Sequence, residues 1–197
     1  MRSPLLKLVA LLALCGFCGC QSPQPRTATP ERAKPAVFAK KSFDPATRNN
    51  SLALLDELLN EEKNLSKILI IKRESRELNR LVKHISEAAG NGAKLLKSMA
   101  KKDPGLQLAG TGLPPGEQAG RKAISKTKEH LLLHSKDAEF EFQLLLTQAE
   151  ALSYGVHLAQ VAADNEPQRD RAREFSSLSA QLKQLHEQVL AMLRKKA

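Results

Sequence analysis

The chain has 197 residues and a formal net charge of +10, with no Trp and a single Tyr. A length of this order makes one domain with short accessories. Such scarcity of aromatic rings argues against stacking platforms for single-stranded nucleic acid; the excess positive charge reads first as a solvated basic surface and next as an affinity for anionic surfaces such as phospholipid headgroups or acidic envelope polymers.

The three cysteines fall at positions 15, 18 and 20. A folded body after them has no disulfide, no thiolate nucleophile and no cysteine ligand for a metal. Arg2 and Lys7 form a basic start, and Leu8 to Leu14 is an apolar run. That run is too short to span a bilayer, which takes about 20 apolar residues, so it reads as an export signal. Phe17-Cys18-Gly19-Cys20 then resembles a lipobox, where bacterial lipoproteins are diacylated and cut ahead of the cysteine. A small residue is wanted immediately upstream, and only Cys20 has one, in Gly19. The expectation is a signal peptide over 1–19 and a lipidated Cys20. Palmitate-type acyl chains there contribute about 0.8 kcal/mol per buried methylene. Gln21 follows rather than Asp, which by resemblance to lipoprotein sorting directs the protein to the outer membrane, facing the periplasm. Removing residues 1–19 takes Arg2 and Lys7 with them and leaves a net +8.

Residues 20–49 hold Pro23, Pro25, Pro30, Pro35 and Pro45 and few large apolar groups. This composition predicts a disordered tether reaching roughly 30 Å as flexible coil. From Asn50 the texture changes, and residues 50–197 read as the helical domain. Leu52, Leu55, Leu58, Leu59, Leu65 and Leu69, then Leu78, Leu81, Val82, Ile85, Leu96 and Met99, recur at three- and four-residue steps. That is an amphipathic helical period. One helix over 50–102 would be about 78 Å long, so a break is expected at Asn64–Ser66 or at Gly90-Asn91-Gly92.

Residues 103–117 are rich in Gly and Pro and read as a loop. Helical period resumes near Glu117 and runs to Asp164, where Asn165-Glu166-Pro167 ends it. The last helix carries Phe175, Leu178, Leu182, Leu185, Val189 and Leu193 as its inner stripe. No segment alternates with period two. The pattern predicts an all-α fold, an up-down four-helix bundle.

On a continuous wheel over 124–164, two apolar arcs flank a polar stripe of His130, His134, Asp137 and Glu141. Imidazoles at i and i+4 with a carboxylate one turn on can hold a metal ion. His186 on the last helix and Glu74 on an earlier one lean the same way. Facing carboxylates and histidines in a bundle core bind iron or manganese in di-metal proteins, and zinc suits the same imidazoles. The leading reading is a stripe that borders solvent or the basic first helices, where the histidines hydrogen-bond the carboxylates and Lys or Arg neutralise them without metal. No Glu-x-x-His occurs in the chain, and His130-Leu-Leu-Leu-His134 lacks the glutamate of a zinc-protease helix. No Gly-x-Ser-x-Gly elbow is present either. The catalytic inventory is empty, and a non-enzymatic module without cofactor is the leading expectation.

Leu113-Pro114, Phe140-Glu141 with Leu144-Leu145, and Leu182 through Leu185-His186 together resemble the secreted or periplasmic ferritin-like helical proteins of bacteria whose function is unassigned. The resemblance covers roughly residues 113–193 and implies a ferritin-like bundle. Where that family carries further histidines, this chain has Leu152 and Glu87-Ala88-Ala89. Of the recurring histidines only His186 is present, so the resemblance implies the fold and the loss of a family metal site.

Overall fold

The structure, a computed structural model, describes residues 42–70, 75–110 and 112–196. Signal residues 1–19, Cys20, the tether up to residue 41, and Glu74 lie outside the described residues. Residues 40–197 form one compact unit. Within it run α1 (Pro45–Glu62), a short 3-10 helix (Leu65–Ile70), α2 (Arg76–Lys102), α3 (Pro115–His134), α4 (Asp137–Asp164) and α5 (Arg169–Arg194). The described residues contain no strand. None of their helices is long and apolar enough to cross a membrane.

Local chemistry sets most of these ends. Asp44 caps α1, its carboxylate accepting the Ala46 amide at 2.9 Å, and Pro45 needs no partner at the first helical position. The helix thus starts at Pro45, ahead of the texture change at Asn50. Ser75 caps α2 through the Leu78 amide at 3.3 Å. Glu77 in the first turn of α2 and Lys101 and Lys102 in its last complement the helix dipole.

Helices α1, α2, α4 and α5 pack around one core. Phe140 and Phe175 lie in it with Leu52, Leu55, Ile85, Leu144 and Val189, all essentially sealed from water. The start of α1, the end of α2 and the α4–α5 turn meet at one pole through Arg48, Asp103 and Glu166. The end of α5 meets the starts of α2 and α4 at the other, through Lys195 with Glu77 and Lys196 with Glu141. The order is therefore up, down, down, up, in place of the plain up-down alternation expected from the sequence, because α2 and α4 both start at the same pole. The parallel pair α2 and α4 is joined by a long crossover that carries α3.

The expected break falls after Glu62, at the Asn64–Ser66 candidate, and α2 runs unbroken through the other candidate, Gly90-Asn91-Gly92. Gly92 serves packing: a Cβ there would stand 3.0 Å from a Leu59 methyl of α1 and 3.1 Å from a Leu178 methyl of α5. The expected single helix from Glu117 to Asp164 is two helices. Ser135 and Lys136 adopt extended backbone (ψ 150° and 147°), and the Ser135 amide and hydroxyl both donate to the Leu131 carbonyl. A continuous helix over 115–164 would exceed about 70 Å, well beyond the length of its neighbours. Folding back at Ser135 lays α3 against the outside of α4 instead.

Candidate functional site

The break at Ser135–Lys136 decides the geometry of the predicted polar stripe. His130 and His134 lie on α3, and both are exposed. Their rings stack with centroids 4.0 Å apart. Nδ1 of His134 is 2.8 Å from the His130 carbonyl oxygen. A carbonyl only accepts, so Nδ1 is the donor and, in the neutral ring, Nε2 keeps the lone pair. Asp137 opens α4 beyond the break. Glu141 is buried near the start of α4 and faces away from solvent. It accepts the Ser75 amide at 3.1 Å and pairs with Lys196. Burial raises the affinity of its carboxyl for a proton, but the Lys196 and Ser75 hydrogen bonds outweigh that and hold it below the ordinary carboxylate range. His186 is partly buried on α5.

The interior stripe is thus corrected on two points. The two histidines face water, and a different helix holds Glu141 in an ion pair. The cause is the turn at Ser135, which removes the shared helical phase of residues 124–164. Among the described residues no three His, Cys, Asp or Glu side chains gather as a metal-holding group. The apolar arcs drawn on the same wheel shift too. Leu131 and Leu133 of α3 are 45 % and 46 % exposed, and Leu132 alone of that helix is buried. Polar contacts help to hold α3 on α4: Arg121 donates to the Tyr154 hydroxyl at 2.6 Å, and Lys128 pairs with Glu150.

The polar groups that the fold does bury are others. Glu166, whose side chain is fully shielded, receives Arg48 at 3.2 Å and Arg171 at 2.8 Å. Arg171 also pairs with Asp103, and Arg48 donates to the Gly105 carbonyl at 2.8 Å. Asp103 accepts the Gly105 amide and the Arg171 guanidinium, which together hold its carboxyl below the ordinary range. This clasp joins α1, the α2 exit, the α4–α5 turn and α5.

A second polar pair lies where α1 ends, and there Glu62 is half-buried. Glu62 falls three residues after Leu59 and seven after Leu55, and so continues the apolar stripe of α1. Gln148 of α4 lies midway between the buried Leu144 and Leu152 and is itself buried. Burial pushes the Glu62 carboxyl up to about 7, against a hydrogen bond from Gln148 that lowers it; Glu61 adds to the rise and Lys128 opposes it. A polar residue at an apolar stripe position was the signal in the sequence for both side chains. A single stripe leaves open which polar neighbour it will meet.

No family model, no curated protein and no solved structure matches the chain.

Proposed function

We propose that the protein is a membrane-anchored lipoprotein of the cell envelope, whose helical bundle acts on its tether as a non-enzymatic structural or interaction module. The observation that carries this reading is the run from Arg2 to Cys20: basic start, short apolar segment, and a cysteine preceded by Gly19. Gln21 supports the outer membrane as the destination, with the bundle in the periplasm. The single long crossover between parallel α2 and α4 supports a ferritin-like reading of the bundle, since that connectivity characterises the class. A mature charge of +8 supports contact with anionic headgroups or envelope polymers, an attraction that weakens as salt rises. Cys20→Ser is expected to move the protein from the membrane fraction to the soluble periplasmic fraction. Retention of the variant in the membrane ends the reading.

A second reading, metal binding, is supported by the exposed His130–His134 pair with its stacked rings. Two imidazoles one turn apart are a bidentate ligand for zinc, iron or manganese. Elemental analysis after exposure to each metal is expected to find one ion per chain in the native protein and none in His130→Ala. Substoichiometric metal in the native protein removes this reading and leaves the anchor untouched.

A further inference from the structure

Charge is sorted between the helices. α2 carries seven Lys and Arg against two Glu, whereas α4 carries five Asp and Glu and neither Lys nor Arg. Gaps of eleven, three and four residues put Lys83, Lys94, Lys97 and Lys101 on one face of α2, and all four are exposed. Where α1 ends, this face gains a fixed point. Lys63 donates to Asn60 Oδ1 at 2.7 Å, and Lys97 donates to the same oxygen at 3.2 Å. Two ammonium groups thus stand on one neutral acceptor, no farther apart than those two bonds laid end to end. Among the described residues neither they nor the other three lysines make an ion pair. An anionic oxygen between the two relieves their repulsion and takes a charge-assisted hydrogen bond from each. Ser86 of α2 donates to the Lys63 carbonyl at 2.5 Å and so holds the end of α1 in place. Beside Lys63 an open groove of about 540 Å³ continues past Ser66, Glu87 and Lys83.

The make-up of this face selects its partner. The large apolar side chains that stay exposed are Phe43 and residues of α3 and α4, with none on α1 or α2. Centres of protein interfaces are depleted of Lys and rich in apolar and aromatic groups, so a lysine face without them suits a plane of phosphates instead. Ammonium groups act there as compact point charges and need no fixed acceptor geometry. We propose that the outer face of α2, centred on Lys63 and Lys97, is a contact for anionic phospholipid headgroups, whose phosphate oxygens the two ammonium groups take. This rests on the anchored reading, in which the tether keeps the face close to a bilayer.

The test is flotation of the full chain carrying Cys20→Ser, which removes any acyl chain, with vesicles of phosphatidylglycerol and phosphatidylcholine. Lys63→Gln with Lys97→Gln is expected to weaken binding about twentyfold, and Lys97→Gln alone, which serves if the pair fails to fold, about fivefold. Lys122→Gln with Lys126→Gln removes equal charge from exposed sites on α3 and is expected to cost under about twofold, because charges away from the plane are screened. Equal losses for the two pairs, or no loss from Lys97→Gln, overturn the proposal. Release of the chain by inorganic phosphate, at an ionic strength where chloride does not release it, assigns the site to the free anion and overturns the headgroup. High salt strips a contact of this kind but leaves an acyl anchor in place, so failure of this face and failure of the anchor are told apart.

Discussion

Glu166 shows how much a single side chain decides here. It sits in a four-residue turn whose sequence announces only that a helix ends. Yet its carboxylate is fully shielded and holds Arg48 and Arg171 from two helices. Removing one member of a buried ion pair leaves the rest uncompensated and costs about 3–5 kcal/mol. Glu166→Gln is accordingly expected to lower the unfolding free energy, read from denaturant curves, by an amount in that range. Glu150, whose side chain is 66 % exposed in its pair with Lys128, is the contrast: solvent screens such a pair, and Glu150→Ala is expected to cost under about 1 kcal/mol. The same denaturation curves check both. Nothing in the spacing of charges distinguishes these two glutamates, because shielding depends on which helices close over them. The histidines make the converse point. Their spacing of four was plain in the sequence, and it did place their rings together, but on a face turned to water.

Glycines in the helices separate two roles that look alike in sequence. Gly92 of α2 lies where helices α1 and α5 press leucine methyls to within 3.1 Å of a would-be Cβ, whereas Gly120 of α3 has nothing within 4 Å. Alanine is the better helix former by about 1 kcal/mol, and at Gly120 no clash offsets it. Gly120→Ala is therefore expected to slow hydrogen exchange across α3. Gly92→Val is expected to destabilise the whole bundle by about 1–3 kcal/mol, the usual cost of overpacking, seen as an earlier global unfolding transition. Of the two candidate breaks Gly90-Asn91-Gly92 is the one not used, because glycine marks either a chain reversal or a close approach, and composition does not say which. The reading of 117–164 as one helix failed differently. Ser135 and Lys136 carry no strong breaker, and the turn forms because α3 buries Leu132 and its polar contacts against α4.

For the molecule as a whole, the two kinds of carboxyl oppose each other in their dependence on pH. Asp103 and Glu77 are held below their ordinary values of 3.8 and 4.5, the first mainly by the Gly105 amide and then Arg171, the second by Lys195. Their contribution is complete above those ordinary values and is lost as pH falls through the lower folded ones. Glu62 has the reverse sign: its raised carboxyl leaves the fold unburdened below 4.5, and stability is lost as pH rises toward and past about 7. A shift of this size corresponds to about 3 kcal/mol. Stability is therefore expected to peak at mildly acidic pH and to decline on both sides. Denaturant titrations at about pH 3, 5.5 and 8 check the shape, and the alkaline decline is expected to vanish in Glu62→Gln.

The helical class, the core stripes of α1, α2 and α5, the loop after Lys102 and the stop at Asn165-Glu166-Pro167 were legible in residue order. Apolar period, caps and turn formers act within a few neighbours, so a linear reading captures them. Which polar groups are buried together was settled by packing alone. Glu62 meets Gln148, and Arg48 meets Glu166, only because the chain runs up, down, down and up and brings distant segments side by side. Burial then acts on whatever has been brought there, and it changes the chemistry of a carboxyl that on an isolated helix would be an ordinary one.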